Sequence, residues 1–519
     1  MTYRWHQPLS LLVPSMPSYD VLLEAIRAGL QPMTQSLILA LGITAFNLFT
    51  GSIASPSRAQ NISNPLLEPR VSAAAIDSFK AALDNRWSYR HANENDFDGA
   101  IAALRKRVER SMNQNELGIE LQKILALGID GHSRVSGFSF PPGGYLPFLI
   151  EVSGRRFVAV EPQRKAYLSD GFPFLTKIDG RDVNEWCSTA AVLVVKGSPQ
   201  LVRTRSTALL RNLDYWRDVM KLPRRPAVTV ELADRAGRRR KTLTLPVASS
   251  LPAYGIWPIA DSRHLEGNIG YLRLRTMEAS TSGAEIKTWM PRFRDTIGLI
   301  IDVRDNNGGD RDALILLYSY LAAVDDPPRV FNAAAYRLYK DHPDNYLALE
   351  HRMYRANATE WSVAQRAAVA SFAKKFKPQW QLPKGQFSDW HYMALTRLKD
   401  PEVYHYRKPV IVLLNGKSFS ATDVFLAGLK GMGNILLMGT PSSGGSAYSR
   451  EITLGETQLV LRIGSMVSFQ ADGKLFDGNG IQPDILVEPA PEYYIGGRDN
   501  VLEEAVRRIR RGKGARSRQ

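Results

Sequence analysis

The fold is decided by one stretch of the chain, Lys408-Pro-Val-Ile-Val-Leu-Leu-Asn-Gly-Lys-Ser-Phe-Ser-Ala-Thr-Asp-Val-Phe-Leu-Ala-Gly428. Residues 409–414 form a short, β-branched apolar run, which is typical of a strand buried in a parallel sheet. Residues 421–429 have the apolar spacing of a helix that packs on such a strand. The serines between these elements are therefore predicted on a strand-to-helix turn, beside the positive end of a helix dipole.

Hydroxyl groups on this turn have two interpretations. Ser418, Ser420 and Thr422 are helix-capping residue types, and capping is the commoner role for a hydroxyl at such a turn. A catalytic nucleophile is the alternative, because a side chain held by two rigid elements at the end of a central strand faces a crevice. Motifs elsewhere in the chain decide between the two.

Length and composition predict an ordinary globular protein of two or three domains. The chain has 519 residues, of which 44% are hydrophobic and 23% charged, so disorder is not expected. The net charge is +16, but no nucleic-acid recognition motif accompanies it, and much of the excess lies in a basic tail, residues 501–519. We therefore expect no nucleic-acid partner. Cys187 is the only cysteine, which excludes an intrachain disulfide and a Cys-rich zinc site.

Residues 1–60 are predicted to be a leader. The stretch from Met33 to Ala59 carries no charge before Arg58, is apolar at its centre and ends on small residues, which is the layout of a secretory signal cleaved near Ala59. An uncleaved anchor, with membrane association through residues 36–54, is the alternative. The prediction is an exported protein, periplasmic or secreted, or membrane-anchored if the leader is retained.

Two regions precede the core. Residues 61–135 are predicted to be a helical N-terminal domain, which ends in a turn-rich segment that places His132 in a loop. Residues 136–255 are predicted to be a β-domain with a helical stretch over 184–216. This second region resembles a degenerate PDZ module, which would let an extended peptide add to a sheet edge. A plain structural β-domain is the alternative.

Residues 256–500 alternate strands and helices, which predicts an α/β core with a mostly parallel sheet. A buried strand over 297–303 runs into Arg304-Asp-Asn-Asn-Gly-Gly309. Gly308 and Gly309 allow backbone N–H groups to approach a ligand closely, as an oxyanion hole requires, although an ordinary tight turn is the alternative. Residues 325–400 are too long for a simple connection and are predicted to be a helical insertion.

Four motifs together resemble those of the tail-specific, or carboxyl-terminal processing, serine peptidases and of their relative, the tricorn core peptidase. The motifs are Asp130-Gly-His-Ser133, Asp302-Val-Arg-Asp-Asn-Asn-Gly-Gly309, Asn415-Gly-Lys-Ser-Phe-Ser-Ala-Thr-Asp423 and Gly478-Asn-Gly-Ile-Gln-Pro-Asp484. The resemblance implies a crotonase-like (ClpP/crotonase) peptidase core in an α/β fold, preceded by helical and PDZ-like parts. It also implies a peptide or protein substrate.

The resemblance assigns roles to individual residues. It makes Ser420 the nucleophile and Ser418 a supporting residue, and it builds the oxyanion hole from the N–H groups of Ala421 and of Gly308 or Gly309. The tail-specific branch has a lysine base 25 positions after the serine, where this chain has Gly445.

The tricorn-like branch instead uses a histidine, oriented by an acidic residue, and these positions match His132 and Asp477. Gly131 stands where the tricorn enzyme has a serine, which leaves Ser133 and Ser418 as substitutes. Asp302 and Asp484 are assigned to structure. A histidine base predicts that kcat/KM rises around pH 6 to 7.

The sequence therefore predicts an exported serine-type endopeptidase that uses Ser420, His132 and Asp477. No metal-binding spacing occurs, so no metal or cofactor is expected. The alternative is a non-catalytic ligand- or peptide-binding protein on the same scaffold, which would need no base.

Overall fold

The computed structural model describes residue 64 and residues 66–255, 257, 260–339 and 352–516. The predicted leader, residues 1–60, and the predicted membrane association through residues 36–54 lie outside the described residues. Among the helices that are described, none is long and apolar enough to cross a membrane.

The N-terminal region is helical, as predicted. Asp96 caps the second helix through a hydrogen bond from the Gly99 N–H. The apolar faces of the helices pack against residues between Leu454 and Leu475, so this region shares a hydrophobic core with the C-terminal part of the chain. Its elements are β1 (Leu66–Leu67), α1 (Pro69–Arg86), α2 (Phe97–Arg107), β2 (Met112–Asn113), α3 (Gln114–Leu125) and β3 (Arg134–Ser136).

The following region is an antiparallel sheet with three helices. The strand order is β4-β5-β6-β8-β9, with β7 paired to β6, so β4 is an edge strand. Helix α5 packs against β4. The elements are β4 (Leu149–Ser153), β5 (Arg156–Val160), β6 (Phe174–Ile178), β7 (Arg181–Asp182), α4 (Val183–Ala190), α5 (Pro199–Leu209), α6 (Leu213–Val219), β8 (Ala227–Ala233) and β9 (Arg240–Pro246).

The core of the molecule is built from the remaining elements. In order, they are β10 (Arg263–Leu265), β11 (Ile269–Arg273), α7 (Ala279–Trp289), β12 (Gly298–Asp302), α8 (Asp312–Leu321), β13 (Arg329–Tyr336), β14 (Tyr354–Arg355), α9 (Val363–Lys375), β15 (His391–Leu395), β16 (Val410–Leu414), α10 (Ala421–Leu429), β17 (Ile435–Gly439), β18 (Ser449–Thr453), β19 (Val460–Gly464), β20 (Met466–Gln470), β21 (Ile485–Leu486) and α11 (Asn500–Arg516).

A six-stranded sheet at the centre positions the predicted catalytic turn. Its order is β10-β11-β12-β16-β17-β21, and every neighbouring pair is parallel except β10 with β11. Strands β12 and β16 are neighbours, with Asp302 opposite Leu413, and all their residues are buried. Because parallel strands end at the same edge of a sheet, the glycine loop after β12 and the serine turn after β16 lie side by side.

The prediction of a helical insertion over residues 325–400 is wrong. The described part of this segment contributes three strands and one helix, α9, and strand β13 pairs with both β15 and β20. Asn332 lies opposite Gln470 in this sheet. The alanine-rich run within β13 carries little strand signal of its own, and pairing with strands distant in sequence determines its conformation.

A small sheet ties the predicted histidine loop to the core. Strand β3 begins two residues after His132 and pairs with β19, so that Val135 lies opposite Leu461. This pairing holds the loop that contains His132 against the C-terminal part of the core.

Candidate active site

Ser420 occupies the turn between β16 and α10 in a strained conformation. Its φ and ψ are 64° and −123°, a region that residues with a side chain rarely adopt. It stands at the N-cap position, yet its side chain makes no capping hydrogen bond. The hydroxyl is therefore not used as a helix cap, which removes the commoner interpretation of a serine at this position.

The Ser420 hydroxyl instead meets the ring of His132. Ser420 Oγ and His132 Nε2 are 2.9 Å apart, although the two residues are 288 positions apart in the chain. With the ring protonated on Nδ1, the hydroxyl donates to Nε2, and this geometry is that of a nucleophile and its general base.

Three contacts position His132, two through the backbone of its loop and one through its ring. Its backbone N–H donates to Asp130 Oδ1 at 2.9 Å. The ring lies on that of Phe419, with centroids 4.5 Å apart. Arg205 donates to the carbonyl of the preceding Gly131 at 2.8 Å. The ring is thus positioned by its loop and by the residue beside the serine.

Two glycines leave room for this arrangement. A Cβ added to Gly445 would overlap the Phe419 ring and lie 3.2 Å from His132 Cε1. A Cβ added to Gly131 would lie 3.0 Å from the same phenylalanine ring. Gly445 is where the lysine of the tail-specific branch is expected, so the space near that position is occupied here by His132 and Phe419.

Asp477 lies near His132 but does not bond to its ring. Its Oδ1 accepts from the Gly131 N–H at 2.8 Å, and its Oδ2 accepts from the Tyr89 hydroxyl at 2.7 Å and the Ser446 N–H at 3.2 Å. Asp477 therefore holds the backbone before the histidine. Within the described part of the chain, the buried Nδ1 of His132 has no hydrogen-bond partner.

A second carboxylate, Asp130, was given no role in the sequence analysis. It is fully buried, and besides the His132 N–H it accepts hydrogen bonds from Trp87 Nε1, the Ser133 hydroxyl and the Gly464 N–H. Its place two residues before the histidine, inside a motif already recognised, was the signal that could have identified it.

The side chains of Asp130, His132 and Asp477 form a compact group. One nitrogen of His132 and one oxygen of each carboxylate lie within 4.8 Å of one another. Such a group could hold a metal ion, but both carboxylates already accept three or more hydrogen bonds from protein donors. This donor set fits a charged hydrogen-bond network better than a metal site.

Burial and charge shift the titration of this group. Burial lowers the pKa of His132 to about 4; the charge of Asp130 opposes this shift, whereas the nearby Arg462, Arg205 and Arg134 add to it. Burial and the charge of Asp130 raise the pKa of Asp477 to about 7. At neutral pH the histidine is therefore unprotonated and able to accept a proton.

The predicted oxyanion groups border Ser420. A Cβ on Gly308 would lie 2.6 Å from Ser420 Cβ and 2.9 Å from the Ala421 nitrogen. The Gly308 N–H donates to Asn306 Oδ1 at 2.9 Å, so it is already engaged. In the described structure, the N–H groups of Gly309 and Ala421 have no hydrogen-bond acceptor. Ala421 is the first residue of α10, whose N–H has no intrahelical partner.

The two predicted supporting serines stabilise segments that border the site. Ser418 is buried, and its Oγ donates to the Val303 carbonyl at 2.9 Å and accepts from the Asn415 N–H at 3.2 Å. Ser133 donates to Asp130. Ser418 thus joins the turn after β16 to the end of β12, whereas Ser133 stabilises the histidine loop.

The core is similar in sequence to one family of known peptidases. Residues 268–487 match the model of peptidase family S41. A carboxy-terminal-processing protease of Bartonella bacilliformis is 36% identical over 107 residues, which is 20% of this chain and 24% of that protein. The aligned segment therefore spans about a quarter of the length of this curated relative.

The fold is similar to that of mature CPAF. Its complex with lactacystin superposes with a TM-score of 0.55 at 16% identity, covering 82% of this chain and 96% of that one. A CPAF mutant gives a TM-score of 0.56 at 17% identity, covering 82% and 95%. At this identity the likeness concerns the fold. The family matches confirm the resemblance to the tail-specific peptidases, whereas the activity of this chain and the roles of individual residues remain predictions.

Proposed function

We propose that this chain, whose residues 268–487 match the peptidase family S41 model, hydrolyses peptide bonds with Ser420 as nucleophile and His132 as general base. The observation that carries the proposal is the 2.9 Å contact between Ser420 Oγ and His132 Nε2. A serine hydroxyl is a weak nucleophile without a base within hydrogen-bond reach, and this contact supplies one.

In the proposed reaction, His132 Nε2 takes the hydroxyl proton while Ser420 Oγ attacks the carbonyl carbon of the substrate. The N–H groups of Ala421 and Gly309 receive the negative charge that develops on the carbonyl oxygen. The imidazolium then gives its proton to the leaving amine, which leaves an acyl-enzyme on Ser420. A water molecule, deprotonated by His132, releases the acyl group by the reverse steps.

The acidic residues are proposed to act on the histidine in two ways. Asp477 positions the ring through the Gly131 backbone, and Asp130 does so through the His132 N–H. Asp130 also favours the positive ring that forms during proton transfer, because its negative charge raises the pKa of His132.

The β-region is proposed to dock the substrate in the manner of a PDZ module. A cleft of about 160 Å³ lies between the edge strand β4 and helix α5, and residues from both elements line it. An extended peptide could pair with β4 there. Arg164, Arg211 and Lys417 also line the cleft, together with Glu151, whose carboxylate pairs with Arg164 and Lys417. An acidic or carboxyl-terminal peptide segment would compete with Glu151 for these cations.

Lys417 connects this cleft to the catalytic turn. It lies three residues before Ser420, and its ammonium group pairs with Glu151 of β4 at 2.8 Å. Binding of a carboxylate in the cleft would compete with Glu151 for this lysine.

Export of the chain stays part of the proposal and depends on the signal-like stretch before residue 60.

The test is hydrolysis of an unfolded protein, with the new termini identified by mass spectrometry. Wild-type protein should generate products and Ser420→Ala should not. Products from both proteins would indicate a contaminating peptidase. If the wild type yields no products, and wild type and Ser420→Ala bind the unfolded substrate protein equally well, the non-catalytic binding protein is favoured.

A further inference from the structure

Arg311 is a buried cation without a counter-charge among the residues that the structure describes. The residue is only 7% exposed. Its Nη1 donates to Asn332 Oδ1 at 2.9 Å and lies 3.0 Å from the sulfur of Met353, and its Nη2 donates to Ser446 Oγ at 3.3 Å. No carboxylate among the described residues lies within ion-pair distance of this guanidinium group.

The acidic neighbours of Arg311 in sequence are engaged elsewhere. Asp310 accepts from the backbone N–H groups of Ala279 and Asp312. Asp312 forms an ion pair with Arg352 at 2.7 Å. Neither carboxylate is therefore placed to balance the charge of Arg311.

Such a charge is costly to bury. Moving a guanidinium group out of water is repaid only by a close counter-ion and well-satisfied hydrogen bonds. Burial lowers the pKa of Arg311 to about 10, so the group is still protonated at neutral pH. Its partners, an amide, a hydroxyl and thioether sulfurs, are all neutral. A ligand that brings a carboxylate would supply the missing charge.

The position of Arg311 links two segments that border the reacting groups. It follows Gly309 by two residues, in the loop whose Gly308 lies against Ser420. It bonds to Ser446, which follows Gly445, and a Cβ on Gly445 would lie 3.2 Å from His132. An acyl group on Ser420 whose oxygen meets the Gly309 and Ala421 N–H groups would therefore have its side chain beside these two segments.

Two of the side chains in contact with Arg311 are methionines. The sulfurs of Met353 and Met393 lie 3.0 Å and 3.6 Å from Nη1, and both methionines are buried. Methionine is flexible and unbranched, so it can move to accept a ligand without breaking a fixed network.

We propose that Arg311 recognises the side-chain carboxylate of the residue whose carbonyl Ser420 attacks, so that the enzyme cleaves after Asp or Glu. This specificity is a further step that rests on the proposed peptidase function. Arg311 is a specificity-determining residue in this proposal, because it binds substrate and takes no part in bond cleavage.

The kinetic test uses three amidated peptides that differ only in having Glu, Gln or Leu at the cleavage position. For wild-type protein we expect kcat/KM to be about 10- to 100-fold higher for Glu than for Gln, the usual effect of a charge-assisted hydrogen bond. Arg311→Met should abolish this ratio. Arg462→Gln removes a partly exposed cation near His132 and should keep the ratio. Equal wild-type turnover of the three peptides would overturn the proposal.

A binding test separates this proposal from the peptidase function. In Ser420→Ala, the affinity for the Glu peptide should exceed that for the Gln peptide by a similar factor, and addition of Arg311→Met should remove the difference. If wild-type protein cleaves nothing but this difference is found, the peptidase function fails and the carboxylate site stands. If Arg311→Met does not fold, as a thermal melt would reveal, the wild-type Glu to Gln ratio alone decides.

Discussion

The Cα of Gly445 faces the ring of His132 so closely that a Cβ added there would lie 3.2 Å from His132 Cε1. The same Cβ would overlap the ring of Phe419, on which the histidine lies. Gly445 occupies the position at which the tail-specific branch is expected to carry its lysine. In this chain a side chain at position 445 would collide with Phe419 and crowd His132. The placement of the histidine therefore depends on the glycine.

Gly445→Ala should lower kcat/KM by about ten- to a hundredfold, because displacing the base by even 1 Å from the serine can cost that much. The change in KM should be small. The control is Gly416→Ala, on the turn that carries Ser420, where the nearest atoms to an added Cβ are 3.5 Å away or more. Equal losses in the two variants would mean that Gly445 matters for folding and not for the placement of His132.

The acid limb of the pH profile should lie below the reference pKa of histidine, about 6.5. Burial lowers the pKa of His132 to about 4, so the base stays neutral in mildly acidic solution and kcat/KM is retained there. This revises the expectation of a limb at pH 6 to 7 that the sequence alone gave.

Arg462→Gln should move that limb to higher pH by a fraction of a unit, because a nearby cation disfavours the charged ring. The shift should be small, since the Arg462 side chain is one-third exposed. Arg462→Lys keeps the charge and should leave the limb where it is. A limb that moves equally in both variants, or in neither, would argue against titration of His132.

Asp477→Asn should reduce both stability and activity. An amide can accept at only one of its two polar atoms, so at least one of the donors Gly131 N–H, Tyr89 O–H and Ser446 N–H loses its acceptor. We expect a loss of about 1–3 kcal/mol in the free energy of unfolding, measured with urea.

The kinetic loss in Asp477→Asn should be smaller than that in His132→Ala, because the acid positions the base and does not transfer the proton. Tyr89→Phe serves as the control, since it removes one donor but keeps the carboxylate. A loss in Asp477→Asn as large as that in His132→Ala would make the acid indispensable to proton transfer.

Ser420→Gly should be more stable than Ser420→Ala, although both are inactive. The backbone at this position has a φ of 64°, which is strained for any residue with a Cβ. That strain costs about 1–3 kcal/mol, whereas glycine loses about 0.5–1 kcal/mol more chain entropy on folding. We expect a net gain of about 1 kcal/mol for glycine in urea unfolding. Equal stability of the two variants would show that the conformation is not strained.

The sequence predicted the local parts of this site well. Helix α10 begins and ends where its apolar spacing indicated, and the serine turn follows a fully buried strand, because such a unit is determined by neighbouring residues. The adjacency of the glycine loop and the serine turn follows from the parallel order of β12 and β16.

Other features depend on contacts between distant residues and could not be read from local patterns. The local pattern predicts a helical insertion where β13 lies, because the partner strand β20 is far along the chain and its pairing leaves no local signal. Whether Asp477 would bond to the ring or to the backbone of its loop was likewise not predictable, because several donors compete for one buried carboxylate. The unbalanced charge of Arg311 became evident only when its neighbours were known.

The most direct test of the central claim is the rate at which a fluorophosphonate modifies Ser420, located by peptide mapping, in wild-type protein and in His132→Ala. Activation by a general base typically contributes 10²- to 10⁴-fold. We predict that wild-type protein is labelled on Ser420 and that His132→Ala, with an unchanged thermal melt, reacts slower by about that factor. Labelling of Ser420 at the same rate in both proteins would contradict the assignment of His132 as the base, and labelling at another serine would contradict the assignment of the nucleophile.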